Sequence, residues 1–236
     1  MTVLSAAFNA ALRQGHISAN PCLAIEPVKD KMVRKGTFTL EQVTALGKTA
    51  SGDWKGLILV GFYTGQRLGD CANLRWDQID LQSKIKTIRF QQSKTEREVM
   101  MVINPVLVDY LSKLTKPKTY EAFVFPSLAN RNISPLSKNF RKMMERAGIE
   151  QRVIRERQRS DSNMPLGRSA PRNVNALSFH SLRHTFNSIL ANAGIPEETR
   201  MALTGHTSRA MNQRYTHREL LLLQDAVATL PRIHAH

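Results

Sequence analysis

The sequence predicts an α+β fold, a mainly helical domain with one small antiparallel sheet near its middle. Three observations predict it. Apolar residues recur at helical spacing between helix-start and helix-stop signals along most of the chain. Between Lys84 and Ile103 the period shortens, and two runs of β-branched and apolar residues flank a polar segment. Hydrophobic residues make up 42% of the 236, enough for a real core and too many for a disordered chain. The length suits one substantial domain, or one domain carrying a fragment of another.

The elements follow in order. Thr2–Gln14, rich in Ala and Leu, reads as a helix stopped by Gly15 and by Asn20-Pro21. Pro27–Gly36 is polar, charged and without period, a linker. The Thr39-Leu40-Glu41-Gln42 capping pattern opens a helix. Trp54–Thr64 is an apolar run of helix length with Gly65 as its stop, and a shorter helix fits Leu68–Trp76. Lys84–Phe90 and Glu98–Ile103 then form a hairpin around Gln91–Arg97. Asn104-Pro105 opens a helix through about Leu114, and Leu136–Ala147 is another, ended by Gly148. Gln151–Asn175 has no apolar period and is dense in Arg, Ser, Pro and Asn, a mobile basic loop. Helices return at about His180–Ala193, Pro196–Leu203, Ser208–Arg214 and Arg218–Leu230. The domain reading is residues 1–36 as a helix plus linker, 37–217 as the main domain, and 218–236 as a helical tail.

Lys and Arg number 34 against 19 Asp and Glu, a net charge of +15. An excess of this size draws in phosphate backbones. Ribosome binders, histone-like proteins and membrane-surface proteins share it, so charge alone names no function. The charge is spread: the densest stretch, Arg141–Arg172, holds nine Lys/Arg and four Asp/Glu, one third of the excess. No run of about 18 apolar residues exists, which excludes a membrane span, and no membrane partner is expected. The start of the chain lacks a secretion signal. Cys22 and Cys71 are too few for a disulfide framework, which fits a reducing, cytoplasmic location.

Four pieces carry candidate chemistry: Thr64-Gly65-Gln66-Arg67-Leu68-Gly69-Asp70, Lys94 in the hairpin, His180-Ser181-Leu182-Arg183-His184, and Gly205-His206 with Tyr215 nine residues later. Singly, each has an ordinary reading. Arg67 could be a helix-end partner of Asp70, Lys94 a solvated turn lysine, His180 and Arg183 a hydrogen-bonded pair on one helical face, and Tyr215 a half-buried aromatic. His180 and His184 also have the four-residue spacing of two metal ligands. The metalloprotease pattern needs Glu directly after the first His, however, and here Ser181 stands there. No Cys or carboxylate lies nearby to complete a shell, and Arg183 would repel a cation. No metal and no cofactor is expected.

Together the four pieces resemble the tyrosine recombinase (phage integrase) family. The order Arg, Lys, His-x-x-Arg, His, Tyr is that family's catalytic order, and TGQRLGD, FHSLRHTF and GHTSRAMNQRYTH resemble its three motif boxes. The resemblance covers about Thr37–His217 and makes the first helix similar to the last helix of the family's separate N-terminal DNA-binding domain. Two departures lie off the catalytic positions. The basic segment before His180 is longer and more Arg-rich than compact members need, and Met211-Asn212 replace a small Thr pair often seen there.

The resemblance implies a site-specific DNA recombinase that cuts one strand through a 3′-phosphotyrosine and rejoins it to a partner strand without metal or ATP. It implies Tyr215 as nucleophile and Lys94 as general acid to the leaving 5′-oxygen. It implies His180 assisting the tyrosine proton and His206 bonding the scissile phosphate. Arg67 and Arg183 suit the negative charge that builds on the non-bridging oxygens, since planar guanidinium groups match two oxygens. Asp70 is expected to orient Arg67 or a histidine. Arg152, Arg155, Arg157, Arg159, Arg168 and Arg172 are expected to track the backbone of double-stranded DNA. Family members act as tetramers on paired sites, and the apolar tail helix, with Leu220–Leu223, is expected to dock on a neighbouring protomer. The alternative from another class is a DNA-binding protein of the same fold that has lost cleavage, and a third reading is a metal-dependent hydrolase.

Overall fold

A computed structural model describes residues 2–25, 36–93, 97–115, 117, 119, 121–150, 152–155, 174–204 and 217–232. The chain divides into two compact units, Met1–Val33 and Arg34–His236.

In the first unit, α1 (Thr2–Arg13) is followed by Gly15 in the left-handed region (φ 75°). Asn20 then ties the unit together. Its Oδ1 accepts from the Cys22 N–H at 2.9 Å and caps a short 3-10 turn, while its Nδ2 donates to Asn9 Oδ1 at 2.7 Å.

In the second unit, α2 (Leu40–Thr49) begins on the expected capping box, with Gln42 N–H donating to Thr39 Oγ1 and Thr39 N–H to Gln42 Oε1. α3 (Asp53–Thr64) is buried from Gly56 to Thr64 and forms the centre of the unit. It ends on Gly65, whose φ of 62° no β-branched residue would adopt at low cost. α4 is only Leu68–Ala72, and a separate 3-10 turn spans Trp76–Gln78, so the single helix expected over Leu68–Trp76 is broken. The cause is tertiary pairing. The Leu74 carbonyl accepts from Val124 N–H at 2.8 Å and Trp76 N–H donates to the Ala122 carbonyl at 3.0 Å, which holds this segment extended.

The sheet has three strands, β1 (Ile79–Asp80), β2 (Thr87–Gln92) and β3 (Arg97–Val102), antiparallel in that order. β1 is too short to carry an alternating pattern, which is why the sequence showed only the hairpin. β2 starts later than expected because Asp80 Oδ1 accepts from the Gln82 and Ser83 N–H groups and turns the chain there. Its inward positions are Ile88, Phe90 and Gln92.

α5 (Pro105–Lys113) is capped by Asn104, and α6 (Ile133–Arg146) starts one turn before the expected Leu136. The segment read as a mobile loop is ordered at both ends, where β4 (Val153–Arg155) pairs antiparallel with β5 (Val174–Asn175). α7 (Phe179–Asn192) and α8 (Glu197–Thr204) follow. The helix expected at Ser208–Arg214 lies outside the described residues.

α9 (His217–Ala228) packs against β3 of its own chain, burying Leu223, Ala226, Val227 and Leu230. Asn104 Nδ2 donates to the Val227 carbonyl at 2.7 Å, and Tyr63 Oη to the Pro231 carbonyl at 3.1 Å. Of the apolar residues that suggested docking on a neighbouring protomer, Leu223, Ala226, Val227 and Leu230 are covered in cis. Among the described residues no helix is long and apolar enough to cross a membrane.

α3 and α7 approach closely because Gly61 offers no side chain. A Cβ there would lie 2.5 Å from Phe179 Cζ and 3.2 Å from Leu182 Cδ1. This close approach sets α7, and with it Arg183, against the turn that carries Arg67.

Candidate active site

The site is built where three ends meet: the C-terminus of α3, the start of α4 and the first turns of α7. Arg67 is the residue before α4, and Asp70 lies one turn inside it. Arg67 Nη1 stands 3.6 Å from Asp70 Oδ2, an i,i+3 ion pair whose carboxylate is buried. Among the described residues neither of these two atoms finds a hydrogen-bond partner. The other oxygen, Asp70 Oδ1, accepts from Ser93 N–H at 3.1 Å and Ser93 Oγ at 2.9 Å. Asp70 therefore faces Arg67 on one side and anchors the end of β2 on the other, immediately before Lys94 in the chain. A cleft of about 230 Å³ opens beside it, lined by Gly69, Asp70, Arg75, Phe90 and Ser93 among others.

Arg183 enters from α7 and is only 3% exposed. Its Nη1 donates to the Gly65 carbonyl at 2.9 Å and its Nη2 to the Thr204 carbonyl. Burial, and then the positive charge of Arg67, pull its guanidinium down to about 10, while Asp70 acts in the opposite direction. At neutral pH it remains a cation. Arg67 pairs with the buried Asp70 carboxylate and Arg183 feels the charge of both, and the local excess of positive charge is what an anion would relieve. Cys71, beside them, is buried, and desolvation followed by the charge of Asp70 raises its thiol well above the usual range, so it is inert as a nucleophile.

His180 lies one turn before Arg183, at the N-terminal end of α7 where Ser178 N–H donates to Ser181 Oγ at 3.1 Å. It is exposed and packs edge-to-face on His184, ring centroids 4.9 Å apart. Among the described residues no group of three or more His, Cys, Asp or Glu is placed to hold a metal ion. Arg67, Asp70 and Arg183 are therefore brought together, with His180 on the same helix as Arg183. Lys94, His206 and Tyr215 lie outside the described residues, as do Arg157, Arg159, Arg168 and Arg172. Arg152 is exposed just before β4, and Arg155 belongs to that strand.

The sequence reading missed a buried polar group behind the arginines. Gln92 Nε2 donates to Gln66 Oε1 at 2.9 Å and to the Thr204 carbonyl at 3.2 Å, and Gln66 Nε2 donates to the Leu203 carbonyl at 3.1 Å. One signal could have found it: the two-residue alternation of β2 puts Gln92 inward with Ile88 and Phe90.

The phage integrase family profile matches residues 37–220. The integrase of Salmonella phage P22 is 28% identical over 163 residues, 69% of this chain and 38% of that protein. A XerC-like tyrosine recombinase of Caldanaerobacter subterraneus subsp. tengcongensis is 24% identical over 89% of this chain and 59% of its own length. The chain thus spans less than two thirds of these relatives. Among solved structures, the integrase of mycobacterium phage Brujita superposes with a TM-score of 0.60 at 22% identity, covering 97% of this chain and 69% of that one. A lambda integrase dimer bound to a COC′ core site gives a TM-score of 0.57 at 20% identity, over 92% and 73%. A lambda integrase tetramer bound to a Holliday junction gives 0.56 at 19% identity, over 91% and 59%.

Proposed function

The chain belongs to the phage integrase family, the tyrosine recombinases, and on that premise we propose that it breaks and rejoins DNA strands through a phosphotyrosine on Tyr215. One observation carries the reading: Arg67 and Arg183, far apart in sequence, meet beside buried Asp70 with Arg183 almost wholly removed from water. A buried cation beside a second cation is costly for a fold and useful to a reaction that concentrates negative charge on phosphorus.

In the proposed reaction the Tyr215 oxygen attacks the scissile phosphorus as its proton leaves with help from His180. The bond from phosphorus to the 5′-oxygen breaks, and Lys94 gives that oxygen a proton. The product is a 3′-phosphotyrosine ester, close in energy to the diester it replaced, so the step needs no external energy source. A 5′-hydroxyl from a partner strand then attacks the ester and releases Tyr215. Arg67, Arg183 and His206 hold the non-bridging oxygens while the pentacoordinate centre bears its extra charge. The substrate is double-stranded DNA, with Arg152, Arg155, Arg157, Arg159, Arg168 and Arg172 along its backbone and four protomers on a pair of sites.

A pool of randomised duplexes, each nicked so that the cleaved end escapes, tests the reading. Wild type is expected to form a covalent adduct that Tyr215→Phe loses while still binding the duplex. EDTA should leave the adduct unchanged. No adduct with any member of the pool, with binding intact, makes the chain a DNA-binding protein that does not cleave. An adduct abolished by EDTA makes the chemistry metal-dependent.

A further inference from the structure

Arg67, the end of β2, Arg183 and the end of α8 come from distant parts of the chain, yet two amides join them from behind. Gln66 is 1% exposed and Gln92 is fully buried. Gln92 Nε2 donates both to Gln66 Oε1 and to the Thr204 carbonyl, the carbonyl that also receives Arg183 Nη2. Gln66 Nε2 holds the neighbouring Leu203 carbonyl. These two carbonyls close the C-terminal end of α8, where the helix dipole adds negative potential. Stability alone does not ask for this arrangement. An apolar residue at position 92 would continue the inward face of Ile88 and Phe90 without desolvating an amide.

We propose that Gln92, braced by Gln66, is a positioning residue for strand cleavage: it fixes the Thr204 carbonyl, which in turn fixes the Arg183 guanidinium beside Arg67. The inference rests on the reading of Arg183 as the group that neutralises the transition state.

The test uses the full chain and the duplex captured from the randomised pool, resynthesised with either an ordinary scissile phosphate or a methylphosphonate. The methyl group removes the charge that Arg183 neutralises. Gln92→Leu is expected to slow adduct formation about 10- to 100-fold on the phosphate. Duplex affinity should hold and the variant should stay folded with a lowered melting temperature, since Gln66 Oε1 loses its donor, and on the methylphosphonate the variant should match wild type. Gln66→Met should show the same pattern more weakly. Equal slowing of Gln92→Leu on both substrates overturns the proposal, as does a wild-type rate on the phosphate. Unfolding of both variants assigns the amides to stability and also overturns it. Arg183→Ala is the control: if it is slowed equally on both substrates, the role of Arg183 itself fails and the inference with it. An absence of adduct in wild type sinks the enzymatic reading beneath both.

Discussion

Two sets of arginines divide this molecule. Arg183 is 3% exposed, held by the carbonyls of Gly65 and Thr204, and lies within reach of the charges of Arg67 and Asp70. Arg152, before the β4–β5 ribbon, is exposed. The first environment costs the fold desolvation and repulsion, and the second costs little. A charge placed where it is expensive acts on one atom at one moment of a reaction. A charge placed in water acts on average, by attracting a polyanion.

The largest effect expected from that contrast is kinetic. Arg67→Ala and Arg183→Ala should each lower the rate of adduct formation by about 10²–10³, roughly 3–4 kcal/mol. Quenched time courses on a captured duplex measure it, and a loss confined to duplex affinity would erase the distinction.

Packing comes next. Gly61→Ala places a methyl 2.5 Å from Phe179 Cζ and should cost about 1–3 kcal/mol by denaturant melts. Because Arg183 rides on the displaced helix, cleavage should slow as well. A neutral Gly61→Ala would mean that the close approach of α3 and α7 does not set the site.

Reversing charge at the β4 end should act on binding. Arg152→Glu with Arg155→Glu should weaken duplex affinity across sequences and flatten its salt dependence, the log–log slope falling by about 0.9 for each phosphate that is no longer neutralised. Binding isotherms at several salt concentrations measure this, and an unchanged slope removes both residues from the DNA-tracking set.

A smaller effect concerns anions. The guanidinium of Arg183 is held down to about 10. Its folded-state value is below the unfolded one, so the protonated group costs stability at every pH below about 10, and the cost fades only above it. Sulfate bound between Arg67 and Arg183 relieves this cost at neutral pH. Sulfate should therefore raise the melting temperature of wild type more than that of Arg183→Gln, and equal shifts would mean that the ion acts elsewhere.

The smallest effect is expected at Ser93→Ala, which removes the hydroxyl bond to Asp70 Oδ1 but leaves the N–H bond. Stability should fall by about 1 kcal/mol, measured by denaturant melts. A loss several times larger would make the hydroxyl, rather than the N–H, the main anchor of the β2 end.

Much of this was legible in the sequence because local chemistry decided it. Thr39 and Gln42 cap α2, Gly65 stops α3, and Asn104-Pro105 opens α5 as their residue types require. What could not be read was decided by distant partners. Leu74 and Trp76 leave the helical path because residues 122–124 pair with them, and nothing in their own neighbourhood announces it. The ends of the basic segment pair as β4 and β5 across an interval too long for a turn signal. The candidate site divides the same way. Arg67 and Arg183 stood out by motif, whereas Gln92 looked like one more polar hairpin residue until its strand position and the Thr204 carbonyl were seen together.

The most direct test of the division between the two sets is a crossed measurement on one duplex at one salt concentration. Adduct rate and duplex affinity are measured for Arg183→Ala and for the Arg152→Glu, Arg155→Glu pair. Arg183→Ala should lose rate by about 10²–10³ and keep affinity, while the β4 double variant should lose affinity and keep the rate of DNA already bound. If rate and affinity fall together in both variants, Arg183 and the arginines of the β4 end do the same work and the account is wrong.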